Sequence, residues 1–195
     1  MEEIETSEIS EIAVMKKNGL YKLGKCYIYY WDDEIWITIG PDWPFNVCMY
    51  ILLLAILIGF LTVMAPKVGP SLQYSGFFII TTGLLSYACT ALKNPGLVLQ
   101  DYQEALEQGK ISKDTSFCKR CQVVKTSNSE HCDDCDLCVE GLDHHCPVSG
   151  KCIAKGNILY FYLFLVTVFA FFIYFVVWIF AVARFRVSNQ NHNNN

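Results

Sequence analysis

At 195 residues, with 53% hydrophobic residues and a net charge of −4, the chain is too apolar for an ordinary soluble domain. It also lacks the basic stripe of a nucleic-acid binder, so no nucleic acid is expected among its partners. The surplus apolar content lies in three runs, 43–66, 68–92 and 156–183. None contains Asp, Glu, Lys or Arg, and each exceeds the ~20 residues that cross a hydrocarbon core as a helix. Backbone groups in lipid must be satisfied within the segment, so three transmembrane helices are expected.

In chain order, the opening Met1-Glu2-Glu3-Ile4-Glu5 has neither the basic start nor the apolar run of a secretory signal. The first apolar run is therefore expected to direct insertion. Segment 25–40, KCYIYYWDDEIWITIG, reads as two β-prone runs around an Asp32-Asp33 turn, hence a hairpin. Cys26 within it is a secondary candidate for acylation. Gly40-Pro41-Asp42 leads into the first span, where Trp43 is placed as an interfacial anchor. Gln73, Gly76, Thr81, Thr82 and Gly83 weaken the second span's hydropathy but suit close helix packing. Asn94-Pro95-Gly96 ends it with turn chemistry. Apolar positions Leu97, Leu99, Tyr102, Ala105 and Leu106 predict a surface helix over 97–110.

Four lysines precede the first span, and the loop 93–155 carries eight basic residues, against Lys67 alone between spans one and two. The positive-inside rule then places the N-terminus and that loop on the cytosolic side. With three spans the tail ends on the far side, which Arg184 and Arg186 oppose. The expected divisions are a cytosolic segment with the hairpin at 1–42, two spans at 43–92, a cysteine-rich domain at 93–155, a third span at 156–186 and a disordered Asn-rich tail at 187–195. The fold class is a membrane protein of all-α transmembrane helices, three in number, with a small two-zinc cysteine-rich cytosolic domain between spans two and three.

Seven of the ten cysteines and three of the four histidines fall between Cys118 and Cys152. In a reducing cytosolic loop such spacing points to metal or catalysis rather than disulfides. Cys118, Cys121, His131, Cys132, Cys135, Cys138, His145 and Cys152 make eight ligands, enough for two four-coordinate zinc ions of Cys3His type. A loop with few large apolar residues would then draw its folding free energy from metal. His144 and Cys146 remain over, with Asp143 before them. A thiol beside an imidazole that a carboxylate orients is the layout of an activated nucleophile. Spacing alone leaves open whether Cys146 or Cys152 is the free thiol.

Cys-x2-Cys, His-Cys-x2-Cys-x2-Cys, Asp143-His144-His145-Cys146-Pro147, then Cys152 and Asn157, together resemble the cysteine-rich domain of the DHHC family of protein S-acyltransferases, the palmitoyltransferases. The resemblance extends to the loop's place between spans two and three and to the hairpin and Gly-Pro-Asp entry to span one. It implies one zinc held by Cys118, Cys121, His131 and Cys138, and a second by Cys132, Cys135, His145 and Cys152. It implies that Cys146 takes the acyl group of a fatty acyl-CoA as a thioester and passes it to a substrate cysteine in a ping-pong reaction, with His144 as base and Asp143 as its orienter. The span bundle would hold the acyl chain. The implied partners are acyl-CoA, proteins with membrane-proximal cysteines and the lipid bilayer, in an endomembrane (ER or Golgi) or the plasma membrane.

Several positions depart from that pattern. After Pro147 the family's Trp and paired Asn are replaced by Val148, Ser149, Gly150 and Lys151. Thr126 and Asn128 stand for Pro and Arg, Asn94 for the Asp of Asp-Pro-Gly, and Ala154 for Gly. The family's fourth span and its Thr-Thr-x-Glu motif have no counterpart, which leaves room for an accessory membrane subunit. Two functions follow: an S-acyltransferase, or an inactive relative serving as a zinc-stabilised structural membrane subunit.

Overall fold

The computed structural model describes residues 18–32, 34–99 and 116–193. The expectations for the acidic start and for most of the 97–110 helix lie outside them. The chain forms two compact units: Met1–Asn46 with Cys89–Leu159, and Val47–Ala88 with Tyr160–Asn195.

In the first unit, strands β1 (Gly19–Leu23), β2 (Cys26–Trp31) and β3 (Glu34–Ile39) form an antiparallel sheet in the order β1-β2-β3. After β2, Asp32 takes the left-handed conformation at φ 51° that Asp tolerates, and β3 pairs back antiparallel on β2. The hairpin reading omitted β1, whose alternating Gly-Leu-Tyr-Lys-Leu is too short to stand out before pairing. The cysteine-rich stretch folds as three two-stranded ribbons: β4 (Phe117–Cys118) with β5 (Val123–Val124), β6 (Ser129–Cys132) with β7 (Leu137–Glu140), and β8 (His144–Cys146) with β9 (Lys151–Ile153).

Sheet and ribbons share one core, in which Leu23, Cys26 and Ile28 pack with Cys132, Cys135, Leu137, Val139 and Cys152. Cys26 is 1% exposed, so the acylation reading for it is corrected: the hairpin's inner face is covered. The β1–β2 turn docks on the Cys132–Cys135 segment, with Lys25 N donating to Cys135 O at 2.9 Å. Gly24, at φ 52°, lies so close that an added Cβ would sit 2.8 Å from Cys135 O.

Asn94 retains the turn chemistry of the Asp it replaces. Its Oδ1 accepts from the backbone N–H groups of Gly96 at 2.9 Å and Leu97 at 3.0 Å. Asn157, fully buried, ties three segments: Nδ2 donates to Thr90 O and Cys152 O, both at 3.0 Å, and Oδ1 accepts from Ala154 N at 2.8 Å.

Three helices are long and apolar enough to cross a membrane. Helix α1 (Trp43–Gly59) continues through a π-turn (Phe60–Met64) and a 3-10 turn (Ala65–Lys67) that Pro66 enforces. Helix α2 is Pro70–Leu92 and helix α3 Ile158–Asn193. The irregular backbone at 60–67 leaves carbonyls that other side chains satisfy: Trp178 Nε1 donates to Met64 O at 3.1 Å, and Gln73 Nε2 to Ala65 O at 2.8 Å. Gly76 admits the rings of Phe60 and Tyr174, 2.6 and 2.7 Å from where a Cβ would stand. In the second unit large apolar side chains such as Leu52, Ile58, Phe169 and Phe180 face outward, as in helices solvated by lipid.

Helix α3 runs on to Asn193, because extending an existing helix costs far less than starting one.

Candidate functional site

The Cys118–Cys121 and Cys132–Cys135 stretches fold alike. In each, the residue after the second cysteine has positive φ, Gln122 at 53° and Asp136 at 56°. Its N–H returns to the carbonyl of the first cysteine, Gln122 to Cys118 and Asp136 to Cys132, both at 2.8 Å. Each turn thereby points two sulfurs to the same side.

Strand alternation sorts the remaining ligands. On β6, neighbours His131 and Cys132 face opposite sides, and Cys138 lies directly across from His131 on β7. His131 and Cys138 therefore join Cys118 and Cys121, while Cys132 turns to Cys135. On the β8–β9 ribbon His145 and Cys152 are cross-strand partners and complete the second set. The structure thus assembles Cys118, Cys121, His131 and Cys138 in one group and Cys132, Cys135, His145 and Cys152 in another, with the ligand atoms of each group within 4.8 Å of one another.

The donor sets suit zinc. Tetrahedral Zn–S and Zn–N bonds of typical length imply S···N edges of about 3.6 Å and S···S edges of about 3.8 Å. In the second group His145 Nδ1 stands 3.5, 3.4 and 3.7 Å from the sulfurs of Cys132, Cys135 and Cys152, and Cys135 Sγ is 3.5 Å from Cys152 Sγ. In the first, His131 Nδ1 is 3.1, 3.8 and 4.0 Å from Cys121, Cys118 and Cys138. Burial pushes the Cys138 thiol up to about 11, with a hydrogen bond to Cys118 adding to the rise. Cys135 is held well below the thiol range, first by the hydrogen bond from Cys152 and next by that from Cys26. Thiols this close cannot all ionise without a cation among them.

Outer partners fix the imidazoles. His145 Nε2 donates to Asp42 Oδ2 at 2.8 Å, leaving the Nδ1 lone pair toward the sulfurs. Burial opposes the charged form of His145, but the Asp42 bond and the Cys135 thiolate outweigh it and raise the histidine overall. His131 Nε2 lies 3.5 Å from Asp136 Oδ1 and 3.6 Å from Asp133 Oδ1, and both carboxylates also pair with Arg120. Sequence reasoning gave Asp42 no role in the site, because its partner is 103 residues away. Asp42→Asn should weaken metal binding at the second group about 10-fold to 100-fold while the first is unchanged, as read by chelator competition on the purified chain.

On β8 the residues flanking His145 face away from the metal group. His144 and Cys146, two apart, share the other side of the strand. His144 Nδ1 donates to Asp143 Oδ2 at 2.7 Å, which leaves Nε2 as the basic atom. Asp143 and His144 are both more than 40% exposed, so a solute can reach them. Cys146 is half-buried and belongs to neither metal group.

Apolar helices of membrane-crossing length, twin Cys3His groups and an Asp-His-His-Cys ribbon define the class: an integral membrane protein with a cysteine-rich module whose two Cys3His groups could each hold a metal ion. Residues 111–195 match the family model described as DHHC palmitoyltransferase. Palmitoyltransferase ZDHHC9 of Homo sapiens is 45% identical over 51 residues, 26% of this chain and 14% of that protein. Palmitoyltransferase SWF1 of Saccharomyces cerevisiae is 50% identical over 50 residues, 26% of this chain and 15% of that protein. Palmitoyltransferase ZDHHC18-A of Danio rerio is 27% identical over 175 residues, 77% of this chain and 36% of that protein. The chain therefore spans only a minor part of these relatives' lengths.

Proposed function

We propose that the chain is a protein S-acyltransferase whose nucleophile is Cys146, and that zinc occupies both Cys3His groups in a module facing the cytosol. The observation that carries this reading is the β8 geometry: Asp143 orients His144 at 2.7 Å, and His144 shares a strand face with the one thiol of the ribbon outside the metal groups. Zinc at the second group would hold His145 and Cys152, and so the ribbon on which Cys146 rides, in one register.

In the first half-reaction Cys146 gives its proton to His144 Nε2 and attacks the thioester carbonyl carbon of a fatty acyl-CoA. A new C–S bond forms, the bond to coenzyme A breaks, and the departing thiolate takes the proton from His144. In the second, a substrate cysteine gives its proton to His144 and attacks the acyl carbonyl carbon; its new C–S bond forms as the bond to Cys146 breaks, and the departing Cys146 thiolate takes that proton back from His144. One thioester replaces another in each half, so no external energy source is needed. Membrane-proximal cysteines of other proteins are the acceptors this chemistry fits.

The test is mass spectrometry of the detergent-purified chain after incubation with palmitoyl-CoA. A hydroxylamine-sensitive palmitoyl adduct confined to Cys146 is the expected result, and none at any concentration would overturn the reading. With the adduct established, His144→Ala should slow its formation about 10²- to 10⁴-fold, the usual contribution of a positioned general base. Zinc content should not change, since His144 lies outside both groups.

A further inference from the structure

The segment between Cys146 and Cys152 departs most from the family pattern, and it contains a buried lysine. Lys151 is 1% exposed. It sits on β9 directly opposite Cys146 on β8, and opposed residues of antiparallel strands have Cβ atoms about 5 Å apart on one face. Its Nζ donates to Thr38 O at 2.7 Å and to Lys93 O at 2.6 Å. Thr38 belongs to β3, and Lys93 follows the last residue of α2, so one ammonium ties the ribbon to two segments 113 and 58 residues away.

Its neighbours brace the same turn. Ser149 Oγ is 3.1 Å from both Cys146 O and Lys151 O. Asp42 N donates to Gly150 O at 3.3 Å, and Gly40 lies against Gly150 O and Lys151 Cβ with no space for a side chain. An ammonium buried this deeply is costly unless paired. Two carbonyls satisfy two of its three donors; burial pushes the Lys151 amine down to about 7, against the weaker attraction of the Cys26, Cys135 and Cys152 sulfurs. Three thiolates around a divalent metal carry a net negative charge that offsets the ammonium's.

We propose that Lys151 is a positioning residue for acyl transfer: through its two carbonyl bonds it fixes the strand opposite Cys146, and so the nucleophile's angle of attack. This rests on Cys146 being the nucleophile.

The full chain is purified with Lys, Met, Arg or Asn at position 151. Three quantities are measured: the palmitoyl-CoA dependence of adduct formation at Cys146, zinc per chain, and the rate of Cys146 alkylation by iodoacetamide without acyl-CoA. Lys151→Met is expected to keep about two zincs and an unchanged KM. Adduct formation should slow roughly 10- to 100-fold, the cost of a misplaced reacting group, and the alkylation rate should change. Lys151→Arg, whose charged head can also donate to two carbonyls, should recover most of the rate. Wild-type acylation by Lys151→Met, or loss of one zinc from it, overturns the proposal, the latter by making Lys151 part of the metal fold. If Lys151→Met does not accumulate, Lys151→Asn carries the same comparison. A wild-type chain that forms no adduct would overturn the acyltransferase reading instead. Alkylation then decides the positioning claim alone: a changed rate with both zincs retained upholds it, and an unchanged rate overturns it.

Discussion

Cys146→Ser should eliminate palmitoyl adduct formation, by at least about 10³-fold, because a serine hydroxyl stays protonated where a thiol ionises and offers no thioester to pass on. Its metal content should equal that of the wild type, since Cys146 Sγ belongs to neither group of four ligands. The pairing of lost chemistry with retained zinc separates a catalytic thiol from a ligand, the choice that cysteine spacing left open. Intact-mass spectrometry with and without hydroxylamine, beside elemental analysis, reads both quantities on one sample. Wild-type adduct levels in this variant would move the chemistry to another of the chain's thiols. Clean rescue of a cellular defect by Cys146→Ser would favour the structural-subunit reading, for which the altered residues Val148, Ser149, Gly150 and Lys151 are the motive.

Features set by local composition were legible in the sequence. An uncharged apolar run has one solution in lipid, so three helices of spanning length could be read directly. Two Cys-x2-Cys turns, each closed by one backbone hydrogen bond, also follow from neighbours in sequence. The division of eight ligands into two sets was different. It depends on His131 and Cys132 facing opposite sides of one short strand, and β6 exists only because β7 pairs with it. Spacing counted the ligands, and only the family resemblance supplied their sorting.

The residues that brace the site were hidden for the same reason. Asp42 reads as part of the Gly-Pro-Asp entry to a span, and Lys151 as one of the loop's eight basic residues and a departure from the family pattern. Their roles come from His145, Thr38 and Lys93, at least 58 residues away in each case, and leave no periodic trace. At the tail, an Asn-rich composition suggests disorder, while helix α3 is continuous from the apolar span to Asn193.

Removing one ligand from each metal group should have unequal effects. Cys152→Ala takes a fully buried sulfur from the core that packs Leu23 and Ile28 of the sheet against Cys132 and Cys135. It also removes the cross-strand partner of His145, the residue next to Cys146. Apparent zinc-binding free energies of about 10–16 kcal/mol rival the whole stability of a typical domain, about 5–15 kcal/mol. Loss of that zinc should therefore melt the β8–β9 ribbon and abolish the adduct. Cys118→Ala removes a ligand from β4, on a smaller cluster built from Cys118, Val123 and Cys138 with Val98 and Cys121. The β6–β7 pair that carries ligands of both groups keeps its hydrogen bonds, and Asp42 still holds His145. Each variant should lose one zinc, but Cys118→Ala should retain measurable acylation and Cys152→Ala none. Limited proteolysis should cut Cys152→Ala on both sides of residues 144–153 and Cys118→Ala only near 117–124. Equal loss of acylation in the two would mean that the interleaved groups fold as one cooperative unit, with the shared β6–β7 ribbon transmitting the defect.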